Sequence, residues 1–490
     1  MRPAGRTPAR VPRLTAYDQH CLRVETPARP LHLGILALLE DGALVDQLGR
    51  LRLADLRREI DRRTTGIPEL RRVVFRAGRL AGGPLWVDDP TFRIDDHVAE
   101  VAVSGPGDEA ALLALTEQLL ARPLDRSRPF WRMWFVTGLE GGRLAVLVAV
   151  HHALADGVTA MRLVRSLLEP GLPPVALPPW EPPVAAAPPA WGELVRDNTQ
   201  ATLAAALRLA RPGTWRRVLD VIRYMRQASA LSRRMPASSL NAPVGPRRRL
   251  ATVRLDLAAA RRVARTHGCG VNDVVLSLVA GGVRALLDAR GEPVARLRPR
   301  VGIAVALFSP GHGREAGNDI GTLHVPLPLA EPDPGARMPL IAAERARAKL
   351  SPMVAGEPLV RAWLGRFGVV RRSMEQQRLV NLSETYLPGP PTPIEVLGAR
   401  LIDLLPVAPL AGNLGLSFVA LSYAGRLVVT VRADADQFPD LDVLSAAMER
   451  DWDALAGSVS ATVPHPTHSP RTRGAHDREA AIVASTLRLG

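Results

Sequence analysis

A chain of 490 residues is long for a single core, so two domains are the first expectation. Its 47% hydrophobic and 23% charged residues describe an ordinary globular protein, and no apolar run approaches the roughly 20 residues needed to cross a bilayer. The net charge of +15 does not point to nucleic acid. Lys349 is the only lysine, and the arginines are spread through the chain without the aromatic interleaving of an RNA-binding sheet. A GC-rich coding sequence accounts for the arginine bias, and contact with anionic lipid surfaces or phosphorylated substrates fits the charge better. Cys21 and Cys269 are the only cysteines, far apart in sequence, which suits a reducing cytoplasm, and neither has the neighbours of a metal site.

Residues 1–13 are basic and broken by proline, and read as a disordered lead-in without the apolar segment of a secretory signal. A first strand is predicted over 31–39, followed by a helical pattern over 43–64 in which Leu44, Leu51, Leu53, Leu56 and Ile60 are the apolar positions. Strand-like pieces follow at 72–75 and 98–103, then an amphipathic helix over 110–120. Residues 130–137 and 144–150 read as two strands of a hairpin joined through Glu140-Gly141-Gly142. The first domain thus spans 14–168, with strands and helices interleaved as in an α/β layer structure.

A proline-rich stretch over 169–190 can pack as neither helix nor strand and is the natural linker. The second domain, 191–457, opens with helical segments. Its α/β rhythm resumes with a strand over 250–257, a helix over 273–290, a strand over 300–307, a hairpin of 414–420 with 427–433, and a helix over 441–455. Within it, Thr214 can cap a helix carrying Trp215, Val218, Leu219, Ile222 and Met225, with Arg216, Arg217, Arg223 and Arg226 between them. That arrangement suits a membrane interface or the protein's own core. Residues 458–490 are a polar tail.

The chemistry centres on His151-His152-Ala153-Leu154-Ala155-Asp156-Gly157, at the carboxyl end of the apolar run 144–150. Alternation along a strand sends the two imidazoles to opposite sides, so one can brace the fold while the other faces a cleft. A neutral imidazole at such a corner can take a proton from an alcohol or amine near neutral pH. Asp156 is placed to cap the helix whose apolar residues are Val158, Met161, Val164 and Leu168, or to pair an arginine. Gly157 permits close backbone approach or an unusual φ, or simply opens the helix. Asn272 reads as a helix cap, and Arg247-Arg248-Arg249 as either a solvated run or a contact for phosphates.

Taken together, the motifs resemble the bacterial wax ester synthase/diacylglycerol acyltransferase family, within the chloramphenicol-acetyltransferase-like superfamily that includes peptide-synthetase condensation domains. The resemblance runs from about Leu14 to Leu455. It rests on His151 to Gly157, on Pro84-Leu-Trp-Val-Asp-Asp-Pro-Thr-Phe-Arg-Ile-Asp-Asp-His97, and on Pro123-Leu-Asp-Arg-Ser-Arg-Pro-Phe-Trp131. Val271-Asn272-Asp273-Val274, Leu404–Pro409 and Leu414–Gly425 complete it. Pro129-Phe130-Trp131 stands where the family usually has Pro-Leu-Trp. Thr385-Tyr386-Leu387 replaces Ser-Asn-Val before Pro388-Gly389-Pro390, a change that bears on acceptor preference.

The resemblance implies two chloramphenicol-acetyltransferase-like α/β domains with an active-site cleft or tunnel between them. It makes His152 the general base, His151 its neighbour, and Asn272 with Asp273 a turn shaping the substrate tunnel or the domain interface. The implied reaction is transfer of a long-chain acyl group from acyl-CoA, a co-substrate, to diacylglycerol or a long-chain alcohol. No cofactor or metal is expected. The implied setting is cytoplasmic, peripheral on the inner face of the membrane or on lipid droplets. The rival expectations are a condensation-type enzyme using carrier-bound acyl groups and a non-catalytic lipid-binding relative.

Overall fold

The computed structural model describes residues 12–40, 42–78, 80–168, 187–209, 238–306, 320–349 and 375–460, with isolated positions between 185 and 236. Most of the lead-in, linker and tail, and most of the stretch 214–226 expected to form an amphipathic helix, lie outside the described residues.

The first half runs α1 (Ala16–Val24), β1 (His32–Leu39), α2 (Leu53–Thr64), β2 (Arg72–Phe75), β3 (Leu85–Asp88), β4 (Val98–Ala102), α3 (Glu109–Leu120), β5 (Trp131–Thr137), β6 (Leu144–His151) and α4 (Gly157–Leu168). After α5 (Trp191–Leu209) come β7 (Arg248–Asp256), α6 (Leu257–Thr266), α7 (Val271–Ala289), β8 (Arg300–Ala306), β9 (Ile320–Pro326) and α8 (Pro334–Lys349). The chain continues through β10 (Leu382–Pro388), β11 (Glu395–Val396), β12 (Ala399–Val407), β13 (Leu416–Tyr423), β14 (Arg426–Asp434) and α9 (Leu441–Ser460).

Two six-stranded mixed sheets organise these elements, in the orders β11-β12-β1-β6-β5-β4 and β7-β14-β13-β10-β8-β9. The α/β class with two sheet-centred halves follows the expectation, but the first sheet is not built from 14–168 alone. β12 returns from the far end of the chain to pair antiparallel with β1, from Gly34 against Val407 onward. Sequence periodicity carries no information about which sheet a strand joins, so this exchange was not foreseen.

β6 is the centre of the first sheet, and all eight of its residues are buried. Val146, Val148 and Val150 face a core with Leu56 and Ile60 of α2 and Leu163, Val164 and Leu167 of α4. Ala145, Leu147 and Ala149 face the opposite layer, with Leu112, Leu119 and Leu120 of α3. With roughly 1.5–3 kcal/mol gained for each large side chain buried, this strand is a rigid base for whatever its end presents. Gly34 on β1 lets α3 settle close, since a Cβ there would lie 2.8 Å from a Leu120 methyl.

The halves share their cores. Leu387 of β10 and Val419 and Leu421 of β13 join the α2/α4 cluster, and Val428 of β14 joins the α3 cluster. Charge pairs cross the same seam, one of them buried. Arg432 Nη2 lies 2.7 Å from Glu117 Oε2, and Arg254 pairs with both Glu109 and Asp403.

Two helix predictions need correction. The helix expected over 43–64 begins only at Leu53. Asp46 Oδ1 accepts the N–H groups of Leu48 and Arg50, and Gly49 sits at φ +73, so a side-chain-closed turn displaces the first helical turns. The helix expected over 273–290 with Asn272 as its cap starts at Val271 and has Gly270 at the cap position.

Candidate active site

His151 closes β6, and His152 is the first residue of the turn that follows. His151 is 2% exposed, while His152 is partly exposed. The two residues of the pair thus differ in burial, His151 being the more enclosed. The His151 backbone N–H donates to Phe130 O at 2.9 Å, and the His152 N–H donates to Leu31 O at 2.9 Å. Inside the turn, the Ala153 N–H donates to His151 Nδ1 at 2.9 Å. Since Nδ1 accepts, the neutral ring carries its proton on Nε2.

That Nε2 lies 3.2 Å from Oε1 of Glu25, a carboxylate 5% exposed at the end of α1. Glu25 Oε1 also accepts the Leu31 N–H at 3.1 Å, and Oε2 accepts Arg126 Nη2 at 2.8 Å. Burial works to raise the Glu25 pKa, but His151 and Arg126 outweigh it and hold the carboxyl at about 2. His32 sits opposite His151 in the β1–β6 register, and its Nε2 accepts the Leu124 N–H at 3.3 Å. Burial lowers the His32 pKa to about 4, so that ring is neutral and its Nε2, 3.7 Å from Glu25, holds a lone pair rather than a proton.

α1 was missed in the sequence reading, and it forms one side of the site. A capping box ties Thr15 to Asp18, and positions 17, 21 and 25 recur at the helical four-residue spacing. The Tyr17 ring meets His152 edge-on at 5.5 Å, and Cys21 is buried, its thiol pushed up to about 12 by burial. The Thr15–Asp18 box and that spacing were the available signals. Burial also lowers the His152 pKa below the ordinary imidazole value, with Asp156 acting in the opposite sense. His152 is therefore neutral at neutral pH and able to accept a proton.

Asp156 caps α4, its Oδ1 accepting the Thr159 N–H at 2.7 Å and its carbonyl the Ala160 N–H at 2.7 Å. Among the described residues no arginine pairs with it, so of the two expected roles the structure shows capping. Gly157 has no left-handed φ. A Cβ at this position would meet the Leu387 methyls at 3.7 and 3.9 Å, ordinary contact, so the glycine opens the helix beside β10 rather than relieving strain.

Asn272 and Asp273 belong to a different set of contacts. Asp273 Oδ2 accepts the Gly270 N–H at 2.9 Å and pairs with Arg345 at 2.8 Å. Asn272 Nδ2 reaches Glu384 Oε2 of β10 at 3.5 Å. Asn272 is therefore not the cap, which corrects the expectation. Burial raises the fully enclosed Glu384 to about 8, so its carboxyl is largely protonated at neutral pH. Among the described residues, the hydrogen bonds and ion pair of Asn272 and Asp273 involve none of 151–157. The arginine run is occupied too: Arg247 pairs with Asp436, Arg248 with Asp434, and Arg249 with Asp442. An acid-paired run, exposed at Arg247 and Arg249 and buried at Arg248, is the better account of it than a phosphate site.

Comparison with known proteins now bears on this geometry. The family model described as the wax ester synthase/diacylglycerol acyltransferase catalytic domain matches residues 14–275, and the one for the family's C-terminal domain matches 316–456. A Mycobacterium tuberculosis protein named as a probable diacylglycerol O-acyltransferase is 29% identical over 473 residues, covering 91% of this chain and 96% of its own. A relative from M. tuberculosis strain CDC 1551, also named for diacylglycerol O-acyl transfer, is 30% identical over 457 residues, 88% of each chain. Among solved structures, the wax ester synthase/diacylglycerol acyltransferase of Marinobacter aquaeolei VT8 superposes with a TM-score of 0.66 at 22% identity. It covers 92% of this chain and 100% of that one. The first condensation domain of the CDA synthetase gives a TM-score of 0.55 at 15% identity, over 93% and 97%. At these identities the two solved structures speak to the fold.

Proposed function

Because the chain belongs to the wax ester synthase/diacylglycerol acyltransferase family and is an acyltransferase, we propose that His152 is its general base. In this reading an acyl group moves from acyl-CoA to the hydroxyl of a diacylglycerol or a long-chain alcohol. The observation that carries the reading is a neutral imidazole on a partly exposed residue at the end of a fully buried strand, its backbone held by the His152 N–H to Leu31 O on one flank and by the Ala153 N–H to His151 Nδ1 on the other. His152 takes the hydroxyl proton as the acceptor oxygen attacks the thioester carbonyl carbon. The carbon–sulfur bond then breaks, and the thiolate leaves with the proton returned from the imidazolium, as free coenzyme A. An ester is formed and a thioester consumed, with no net change of oxidation state, and acyl-CoA enters as a co-substrate.

The test is to supply labelled acyl-CoA with diacylglycerol, a hexadecanol-type alcohol and an amine in parallel, and to identify the products. Ester formation with release of thiol supports the reading. Transfer to the amine alone would favour condensation chemistry, and binding without turnover would make the chain a lipid-binding relative.

We place the enzyme at a lipid surface, the inner face of the membrane or a lipid droplet. Among the described residues no single helix is long and apolar enough to cross a membrane. Support for surface contact comes from α5, where Leu203 and Leu207, one turn apart, are 62% and 63% exposed, and from Leu219 beyond it at 54%. Flotation with anionic liposomes tests this placement, and a chain that stays at the bottom of the gradient overturns it.

A further inference from the structure

The mechanism leaves one buried charged group without a role. Glu25 is anionic, 5% exposed, and holds two things at once. Through Oε1 it receives the Leu31 N–H at 3.1 Å, and the carbonyl of that same residue accepts the His152 N–H at 2.9 Å. The same Oε1 lies 3.2 Å from His151 Nε2, while His151 Nδ1 accepts the Ala153 N–H at 2.9 Å. The backbone of His152 is thus held on both flanks, and both links lead back to one carboxylate.

The proton arrangement reinforces this. Ala153 donates to His151 Nδ1, so a second proton on that nitrogen would set donor against donor. With Nδ1 accepting, the neutral His151 ring carries its proton on Nε2, beside Glu25. His32, the other imidazole near the carboxylate, presents a lone pair at Nε2 because it accepts from Leu124. Among the described residues His151 is the imidazole whose proton-bearing Nε2 lies in ion-pair range of Glu25, 3.2 Å from Oε1. Arg126 secures the far oxygen at 2.8 Å but is itself half exposed.

We propose that Glu25 is a positioning residue for acyl transfer: it selects the His151 tautomer and, with Leu31, sets the turn that presents His152 to the acceptor hydroxyl. The proposal rests on the reading of His152 as base. Glu25 touches neither acceptor nor thioester, so its effect falls on kcat through geometry, not on substrate capture. Misplacing a catalytic group by about 1 Å can cost on the order of a hundredfold in rate.

The experiment uses the full-length protein with selectively labelled histidine. Glu25→Gln keeps an oxygen for Leu31 and His151, and Arg126 can turn to solvent, whereas Glu25→Met removes the acceptor at similar volume. We expect Glu25→Gln to retain kcat within about tenfold and the Nε2-protonated His151 signature in 15N spectra. The His151 resonances are assigned by their loss in His151→Asn. We expect Glu25→Met to lose kcat by about a hundredfold, with KM for acyl-CoA little changed and the tautomer signature lost.

A folded Glu25→Met protein with near-wild-type kcat overturns the proposal. If Glu25→Met does not fold, Glu25→Gln decides. Retained tautomer with retained kcat supports the proposal, and any divergence between the two overturns it. Failure of the wild-type chain to transfer acyl groups to any acceptor would sink the reading of function instead, and the tautomer measurement stands apart from that result.

Discussion

The seam between the two halves offers the most quantitative test of the architecture. Arg432 on β14 and Glu117 on α3 are 5% and 7% exposed, and their hydrogen bonds run at 2.7 and 3.3 Å. Arg432→Met removes one partner and leaves Glu117 charged, or forced to protonate, in a site closed to water. Breaking a buried pair in this way typically costs about 3–5 kcal/mol. Replacing both partners, Glu117→Met with Arg432→Met, removes the desolvation problem along with the attraction and should return to within about 1–2 kcal/mol of wild type. The third contact, Arg432 Nη1 to Ala408 O at 3.3 Å, is lost in both variants and cancels from the comparison. Equilibrium urea denaturation, followed by circular dichroism and by tryptophan fluorescence, reads the cycle provided the two probes coincide. A loss below about 1 kcal/mol in Arg432→Met would refute the reasoning, because it would mean that water reaches the pair in solution.

Three further outcomes follow from the site. His32 and His97 each titrate at about 4 in the folded chain against an ordinary 6.5, so the unfolded chain binds more protons between those values. Their contribution is complete above pH 6.5 and lost as pH falls toward 4. Glu25, at about 2 against 4.5, adds a second loss between pH 4.5 and 2. Glu384, raised to about 8 from 4.5, works in the opposite sense between pH 6.5 and 4.5 and offsets one histidine. The melting temperature should therefore fall on acidification from pH 6.5 by less than the histidines alone would give, and a rise between 6.5 and 4.5 would contradict the buried-neutral assignment. Asp156→Asn keeps the helix cap but removes the charge that raises the His152 pKa, so the melting temperature stays near wild type while the acidic limb of kcat/KM moves to lower pH. A limb that moves up, or a large loss of stability, speaks against capping as its structural role. Gly157→Ala should fold with stability within about 1 kcal/mol of wild type, since its Cβ meets only ordinary contacts. A drop of several kcal/mol in a melt would show that the glycine relieves strain after all.

The corner at the end of β6 was legible because its signals are local. A continuous apolar run predicts β6, Asp156 ahead of periodic apolar residues predicts the start of α4, and alternation predicts that one histidine turns inward. What surrounds the corner was not legible, for physical reasons that differ by element. α1 is nine residues long with Asp18, Gln19, His20 and Arg23 among them, so it shows little apolar periodicity. Glu25 gains its role from Leu31, His151 and Arg126, partners that proximity in the chain does not reveal. β12 is not among the predicted strands, and its partner β1 lies more than three hundred residues earlier. Gly270 took the cap predicted for Asn272 because the Asp273 carboxylate already satisfies the Gly270 N–H. The turn at Asp46 to Gly49 interrupts a region whose leucines nonetheless keep helical spacing.

The central claim is that His152 moves the proton in acyl transfer, and the most direct measurement is single-turnover thiol release from acyl-CoA in the presence of a saturating alcohol or diacylglycerol, comparing wild type with His152→Ala. The account predicts a folded variant whose rate falls by about two to four orders of magnitude, the range for losing a general base. His152→Ala with an unchanged melting temperature and near-wild-type thiol release would contradict it.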